Sequence, residues 1–410
     1  MKILRNLTKA VFFVFLIFDI IIFGAIFYLK TNISKEFKIK KGDSLEINSK
    51  LPIAAVYEGS LLSQSSVTEK IGEEFKVDLK AFGIIPFSTV NVEVVDELHV
   101  AVLGSPFGMK LYTTGVLVIE TSDVETENGK VNPASEAGIK KGDYIVSVDG
   151  TNIYTNEDLA IAIERSAGKK MCFEIVRNSA KININFSAVI SKETGDYKIG
   201  LWIRDSSAGI GTLTFYSPAT GIVCGLGHGI CDEDTDTLLR LNSGEIVSAE
   251  IVSVIKGGIG NPGQLKGKFT DIILGNINHN CEGGIFSRLS GEINFLNLTE
   301  IAFKQEVKDG EAQILCTVEG TEPELYSCTV KVRSSAYLSK TQNILLTVTD
   351  KELLEITGGI VQGMSGSPIL QNGKLIGAVT HVLVDDPKTG YGIFAENMLE
   401  TAQLIADDIA

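Results

Sequence analysis

Residues 10–29 form a 20-residue apolar run broken only by Asp19. About 20 apolar residues are what a helix needs to cross a bilayer, so this end of the chain is committed to lipid. Lys2, Arg5 and Lys9 precede any acidic residue. A secretory signal has a shorter apolar stretch, about 7–15 residues, closed by a small-x-small cleavage site. Here Gly24 and Ala25 lie inside the run, and bulky Ile26, Phe27 and Tyr28 follow. The pattern predicts an uncleaved single-pass anchor with its cations in the cytosol and residues 31–410 outside it. Asp19 reads as a tolerated charge, because one anchor helix has no bundle to serve.

The remaining length suggests two or three domains. With 44% hydrophobic and 21% charged residues, disorder and fibrous structure are excluded. A net charge of −14 repels phosphate backbones and argues against nucleic acid. There are four histidines and six cysteines but no CxxC and no HExxH, so neither zinc nor any other cofactor is expected. An extracytosolic location permits disulfides. Cys316 and Cys328 flank an expected hairpin and make the most natural pair; six buried free thiols are the equal alternative.

Residues 31–99 are mixed and polar, and read as a spacer with some extended structure; the alternating, valine-rich stretch 84–103 reads as strands. Residues 100–195 form a compact unit. TNEDLAIAIERSAG opens with a cap and an acidic first turn and carries helical spacing, while KMCFEIVRN and KININFSAV read as strands. The run AGIKKGDYIVSVDG resembles the signature of bacterial protease PDZ domains. That resemblance implies an α+β PDZ fold. It also implies a loop at Phe107, Gly108, Met109, Lys110 and Leu111 whose N–H groups receive a peptide carboxylate while the peptide adds as a strand.

From 196 to 410 the chain is strand-rich with frequent turns, as a sandwich or barrel requires; only 396–409 reads as a helix. Segment 358–370 is GGIVQGMSGSPIL, with Ser365 between glycines and before a proline. Glycines permit a tight turn that exposes a hydroxyl and lets a carbonyl approach. The N–H groups of Gly363 and Ser365 are placed to converge on an oxyanion. The motif is similar to the GDSGGP serine motif of chymotrypsin-like proteases. Such a serine needs a base. His228, in CGLGHGI, fits best, His381 comes second, and His99 and His279 read as surface or turn residues. A third group should orient the imidazole, and a carboxylate does so best. Asp350 closes a strand 15 residues before Ser365, and Asp271 lies 43 residues after His228. Asp232 and Asp234 are close to His228 in sequence, which makes them poor partners.

The segments IGLWIRDSSAGIGTLTFYSPATGIVCGLGHGICD, GGIVQGMSGSPI and GAVTHVLVDDPKTGYGIF resemble the SpoIVB peptidase family of endospore-forming bacteria, and the likeness extends over the whole chain. It implies a mainly β protein: an anchor (1–30), a spacer (31–99), a PDZ domain (100–195) and a chymotrypsin-like double β-barrel serine protease (196–410). It further implies Ser365 as nucleophile, His228 as base and Asp350, ahead of Asp271, as the third member. By the same resemblance the enzyme works between forespore and mother cell. It cuts its own N-terminal segment within 31–99, then a membrane-bound regulator of an intramembrane protease, which triggers a sporulation signalling cascade. Two other readings are a silent PDZ scaffold and an HtrA-like quality-control protease. The HtrA type places its protease before its PDZ unit, the reverse of this chain.

Overall fold

The computed structural model describes residues 2–45, 47, 49–62, 69–290, 297–333, 339 and 341–409. The first element is a helix over Lys2–Asn32, of which Lys9–Asn32 is long and apolar enough to cross a membrane. At about 1.5 Å per residue, 24 residues reach roughly 36 Å, more than the roughly 30 Å hydrocarbon core. Phe12, Phe15 and Ile20 point outward with no protein cover. Leu29, near the helix end, is fully buried against the next domain.

The expected spacer is instead folded. Glu36–Lys40, Ile85–Val95, Glu74–Ala81, Ile53–Tyr57 and Ser60–Leu61 form a five-stranded sheet in that spatial order. Alternation explains it: in EFKVDLKA, Phe75, Val77, Leu79 and Ala81 face inward while the charges face out. Burying each larger apolar side chain contributes roughly 1.5–3 kcal/mol, enough for a small independent core. The polar residues that made the segment read as a spacer are the outer face of this sheet.

The PDZ unit pairs Val116 and Leu117 with Tyr144–Val148, then Lys170–Arg177, then Ala180–Ser187. Its helix Asn156–Ser166 starts at a Thr155–Asp158 capping box, a device contributing about 1 kcal/mol. Leu159 and Ile163 bury one face of the helix against a core that holds Phe173 and Ile145. Asp143, 1% exposed, is held by Arg177 at 2.7 Å.

Two rings of strands follow. The first runs Pro106–Thr121, Leu241–Ile255, Gln264–Cys281, Gly284–Leu289, Ile222–Gly225 and Leu201–Ser217, and closes where the last pairs with the first. The second is a closed barrel of Gly310–Cys316, Glu324–Val332, Ile344–Val348, Asp386–Phe394, Lys374–Leu383 and Pro368–Gln371. The protein is thus mainly β, with the anchor helix, the PDZ unit and the protease barrels expected.

The boundary between PDZ and protease at 195/196 needs correction. Pro106–Thr121 and Leu201–Ser217 pair from Thr212↔Pro106 to Leu201↔Thr121, with register shifts between Arg204 and Ser206 and between Trp202 and Ile203. They are shared: one end of this ribbon lies in the first barrel and the other in the PDZ sheet. The PDZ unit is therefore inserted between two neighbouring strands of the first barrel.

The second barrel also contains an unexpected helix, Lys351–Thr357, started by Asp350. The C-terminal helix Ala395–Ile409 packs Met398, Leu399 and Ala402 onto Cys224 and Phe286 of the first barrel.

Candidate active site

His228 follows the strand Ile222–Gly225 of the first barrel. Leu226 and Gly227 both take left-handed backbone (φ 65° and 68°), so the chain turns sharply before the imidazole. A Cβ on Gly227 would sit 3.0 Å from Ile393 and 3.1 Å from Thr380, which is why this turn reaches the second barrel only as glycine. His228 Nδ1 lies 2.9 Å from Gly229 O. A carbonyl only accepts, so Nδ1 carries the proton and the Nε2 lone pair is left for another group. Burial lowers the His228 pKa, and the Gly229 carbonyl opposes this. Its ring lies 4.6 Å from that of His381. Burial and the neighbouring His228 lower the His381 pKa to about 4, although His381 as a whole residue remains exposed.

Ser365 sits in the loop before Pro368–Gln371 of the second barrel. Gly363 (φ 99°) and Gly366 (φ 94°) supply conformations that other residues avoid. The loop's own bonds use the N–H groups of Met364, Gly366 and Ser367. Those of Gly363 and Ser365 have no acceptor among the described residues, as a pair of oxyanion donors requires. Ser365 Oγ donates to Thr380 O at 2.8 Å.

His228 and Ser365 face one cleft of about 990 Å³ between the barrels, with His381, Thr380 and Gly363 in its wall. Sequence reasoning paired these two residues across 137 positions, and the structure brings both to the same cleft.

The predicted acids are elsewhere. Asp350 Oδ1 accepts from Glu352 and Leu353 N–H, and Oδ2 from Ser327 N–H at 3.2 Å; it caps a helix. Its place at the end of a strand looked catalytic, but Asp is also a preferred helix start. Asp271 is exposed on Gln264–Cys281 and does not line the cleft. Asp232 is buried but is committed to Arg204, which also holds Asp234. No carboxylate among the described residues bonds His228; its own neighbour's carbonyl orients the ring.

The PDZ-loop expectation also fails. Phe107, Met109 and Leu111 are buried in the first-barrel core. Gly108 and Lys110 pair on one edge with Ile210 and Ala208, and on the other with Val247 and Glu245. With both edges occupied, no peptide adds there. A Cβ on Gly108 would lie 2.5 Å from Phe269, so this glycine serves close packing and not a loop.

All six cysteines are free. The hairpin around Cys316 and Cys328 exists, but Cys316 faces Glu324 and Cys328 faces Ala312, which keeps the sulfurs apart. Burial raises the thiol pKa values of Cys224, Cys231, Cys281, Cys316 and Cys328, which favours the protonated, less reactive thiol.

Sequence reasoning missed Thr212 and Thr214. Thr212 N–H donates to Ser365 O (3.0 Å), Thr212 Oγ1 to Gly363 O (2.9 Å) and Thr214 Oγ1 to Gly366 O (2.7 Å). Their only signal was an inward-facing alternation in GIGTLTF, which does not separate packing from support of a loop.

A family model described as SpoIVB peptidase S55 matches residues 195–399, half of the chain, and one described as PDZ domain matches residues 101–187. Among solved structures, the chain is similar to the PDZ domain of the SdrC-like protein from Listeria monocytogenes. Identity is 20%, covering 22% of this chain and 87% of that one, with a TM-score of 0.18. It is also similar to Rv3671c from M. tuberculosis H37Rv, in an inactive serine-to-alanine form. There identity is 13%, covering 48% of this chain and 82% of that one, with a TM-score of 0.23. Scores this low add nothing to the fold described above.

Proposed function

The chain belongs to the SpoIVB peptidase S55 family, a serine peptidase family, and from that premise we propose a membrane-anchored endopeptidase with Ser365 as nucleophile and His228 as base. The observation that carries this is that both residues line one interbarrel cleft. Ser365 Oγ turns from Thr380 O towards His228 Nε2, gives up its proton there and attacks a peptide carbonyl. The N–H groups of Gly363 and Ser365 hold the oxyanion. The His228 imidazolium then protonates the leaving amine. Water, deprotonated by His228, releases the acyl group and restores the hydroxyl.

The anchor keeps its cationic end cytosolic and the barrels outside, between forespore and mother cell. The substrates are the chain's own N-terminal part within 31–99 and a membrane-bound regulator of an intramembrane protease, whose cutting triggers a sporulation cascade. Family membership supports this reading. Self-cleavage falls in a connection of the N-terminal sheet and not in its strands, because a peptidase needs an extended backbone free of ladder bonds.

The full chain in detergent, as wild type and as Ser365→Ala, tests the reading. Mass spectrometry over time should show shortening only in the wild type, and a fluorophosphonate should label only the wild type. The expected loss for Ser365→Ala is on the order of 10⁶-fold. Processing by the Ser365→Ala chain alone, free of wild type, removes the nucleophile assignment. Absence of labelling in the folded wild type leaves a scaffold.

A further inference from the structure

His228 and His381 reach the cleft from different barrels. His228 stands on the turn after Ile222–Gly225 of the first, and His381 on Lys374–Leu383 of the second. Their ring centres are 4.6 Å apart and their planes are inclined by 37°. Both residues line the cleft of about 990 Å³ that holds Ser365. The proposed mechanism uses one imidazole and gives His381 no task. Core packing does not explain it either, because His381 as a whole residue is exposed.

Both rings keep a nitrogen lone pair for another group. His228 Nδ1 is committed to Gly229 O, which leaves Nε2. The His381 ring has no hydrogen-bond partner among the described residues; its contact there is the His228 ring. No bond fixes its tautomer, so either of its nitrogens can present a lone pair.

A pair of neutral imidazoles is a donor set for a borderline-soft divalent ion. Zinc takes each imidazole nitrogen at about 2.0–2.1 Å, so two rings on one ion stand roughly 4.5–5.5 Å apart, centre to centre. The observed spacing meets that range. Magnesium and calcium prefer oxygen ligands and gain little from such a pair. Among the described residues no third His, Cys, Asp or Glu completes a metal-binding group here. Water fills the other positions, as suits a reversible ion and not the closed four-ligand set of a structural zinc.

We propose that a zinc-class divalent ion binds between His228 and His381 and switches the peptidase off. The ion takes the Nε2 lone pair that would receive the Ser365 proton, and it stands in the cleft that a substrate must enter. The inhibition rests on His228 being the base; the binding does not.

The test uses the full chain in detergent with zinc chloride, and with magnesium chloride for comparison. Fluorophosphonate labelling of Ser365 should fall in zinc, stay level in magnesium and return with EDTA. His381→Gln, with its fold checked by circular dichroism, should raise the zinc concentration for half-loss by about 10–100-fold, the size that metal sites lose even for a supporting partner. Calorimetry on the Ser365→Ala chain reads binding without catalysis. Zinc should bind there, and should be lost when either His228→Gln or His381→Gln is added. Cys231 is an exposed thiol in the cleft wall, so Cys231→Ser should leave zinc binding unchanged. Absence of zinc binding overturns the proposal, as does binding that survives both histidine substitutions or vanishes only with Cys231→Ser. Equal inhibition by magnesium, or zinc bound with labelling unchanged, overturns the switch. A wild type that is never labelled counts against the catalytic reading, while calorimetry still decides the site.

Discussion

The two barrels hold one half of the proposed active site each but are built differently. The second is self-contained: its strands are 4–10 residues long and lie within 310–394. The first has strands of 15–18 residues that outrun the barrel. Two of them continue into the PDZ sheet. Two others reach the second barrel, where Leu265 N–H donates to Gln362 O and Ile251 pairs with Gly320. The serine therefore stands on a closed scaffold, while the histidine and the props of the serine loop stand on one that is open to other parts of the chain. A site split in this way can be adjusted from the first barrel without disturbing the core of the second.

The largest expected effect is at the seam. A Cβ on Gly366 would lie 2.0 Å from Thr212 O and 2.5 Å from Leu226 N. Gly366→Ala should cost about 3 kcal/mol or more and abolish fluorophosphonate labelling. Gly373→Ala, also at positive φ but with nothing within 4 Å, should cost only about 1 kcal/mol and keep labelling. Equal costs in urea melts would mean that close approach is not what joins the barrels.

Next is the missing acid. Asp350→Ala should lose about 1 kcal/mol of stability, as a helix cap does, and change kcat/KM by less than about 10-fold. A triad carboxylate would cost about 10⁴-fold. A loss of that size in a folded variant would return Asp350 to the site.

The two histidines set a milder effect. Burial lowers the His228 pKa, so the base stays neutral below its ordinary 6.5. The acid limb of kcat/KM should therefore fall below pH 6.5, and a limb at or above that value refutes this. For stability the sign is the same: unfolding lets both rings take protons that the fold disfavours. The histidine contribution should be complete above pH 6.5, decline towards the value of about 4 for His381, and level off below it. Urea melts across that range check it.

The smallest effect is at the N-terminal sheet, whose links to the peptidase include Lys38 Nζ–Glu400 at 2.9 Å, the Lys40–Glu300 pair and the Gln305 amide on Lys38 O. Lys38→Ala should shift stability by no more than about 1 kcal/mol, as for other half-exposed pairs. A larger shift would make the sheet part of the peptidase's folding unit.

What could be read from residues alone was local. The N-terminal helix of membrane-spanning length was legible because membrane length is a run of one chemistry. That Ser365 and His228 would stand on tight turns facing one cleft was legible because glycine neighbours of a serine and a histidine are rare needs of such turns. The N-terminal sheet was legible in principle, since EFKVDLKA alternates strictly and IPFSTVNVEVV alternates from Val90 onward, yet the charges of its outer face concealed it. Asp350 shows the opposite failure. An aspartate after a strand serves a cap or a catalytic site equally well in sequence, and only its partners at Glu352, Leu353 and Ser327 decide.

By itself the sequence determined the long apolar N-terminal helix, the mainly β character and the PDZ unit, and it singled out the serine and histidine proposed as catalytic, because each depends on neighbours along the chain. The tertiary structure alone decided that Phe107–Leu111 is barrel and not loop, that the PDZ unit is an insertion, that a backbone carbonyl orients His228, and that Thr212 and Thr214 hold the serine loop. These depend on which distant strand lies alongside, and strand pairing leaves no mark on a single strand beyond its period of two.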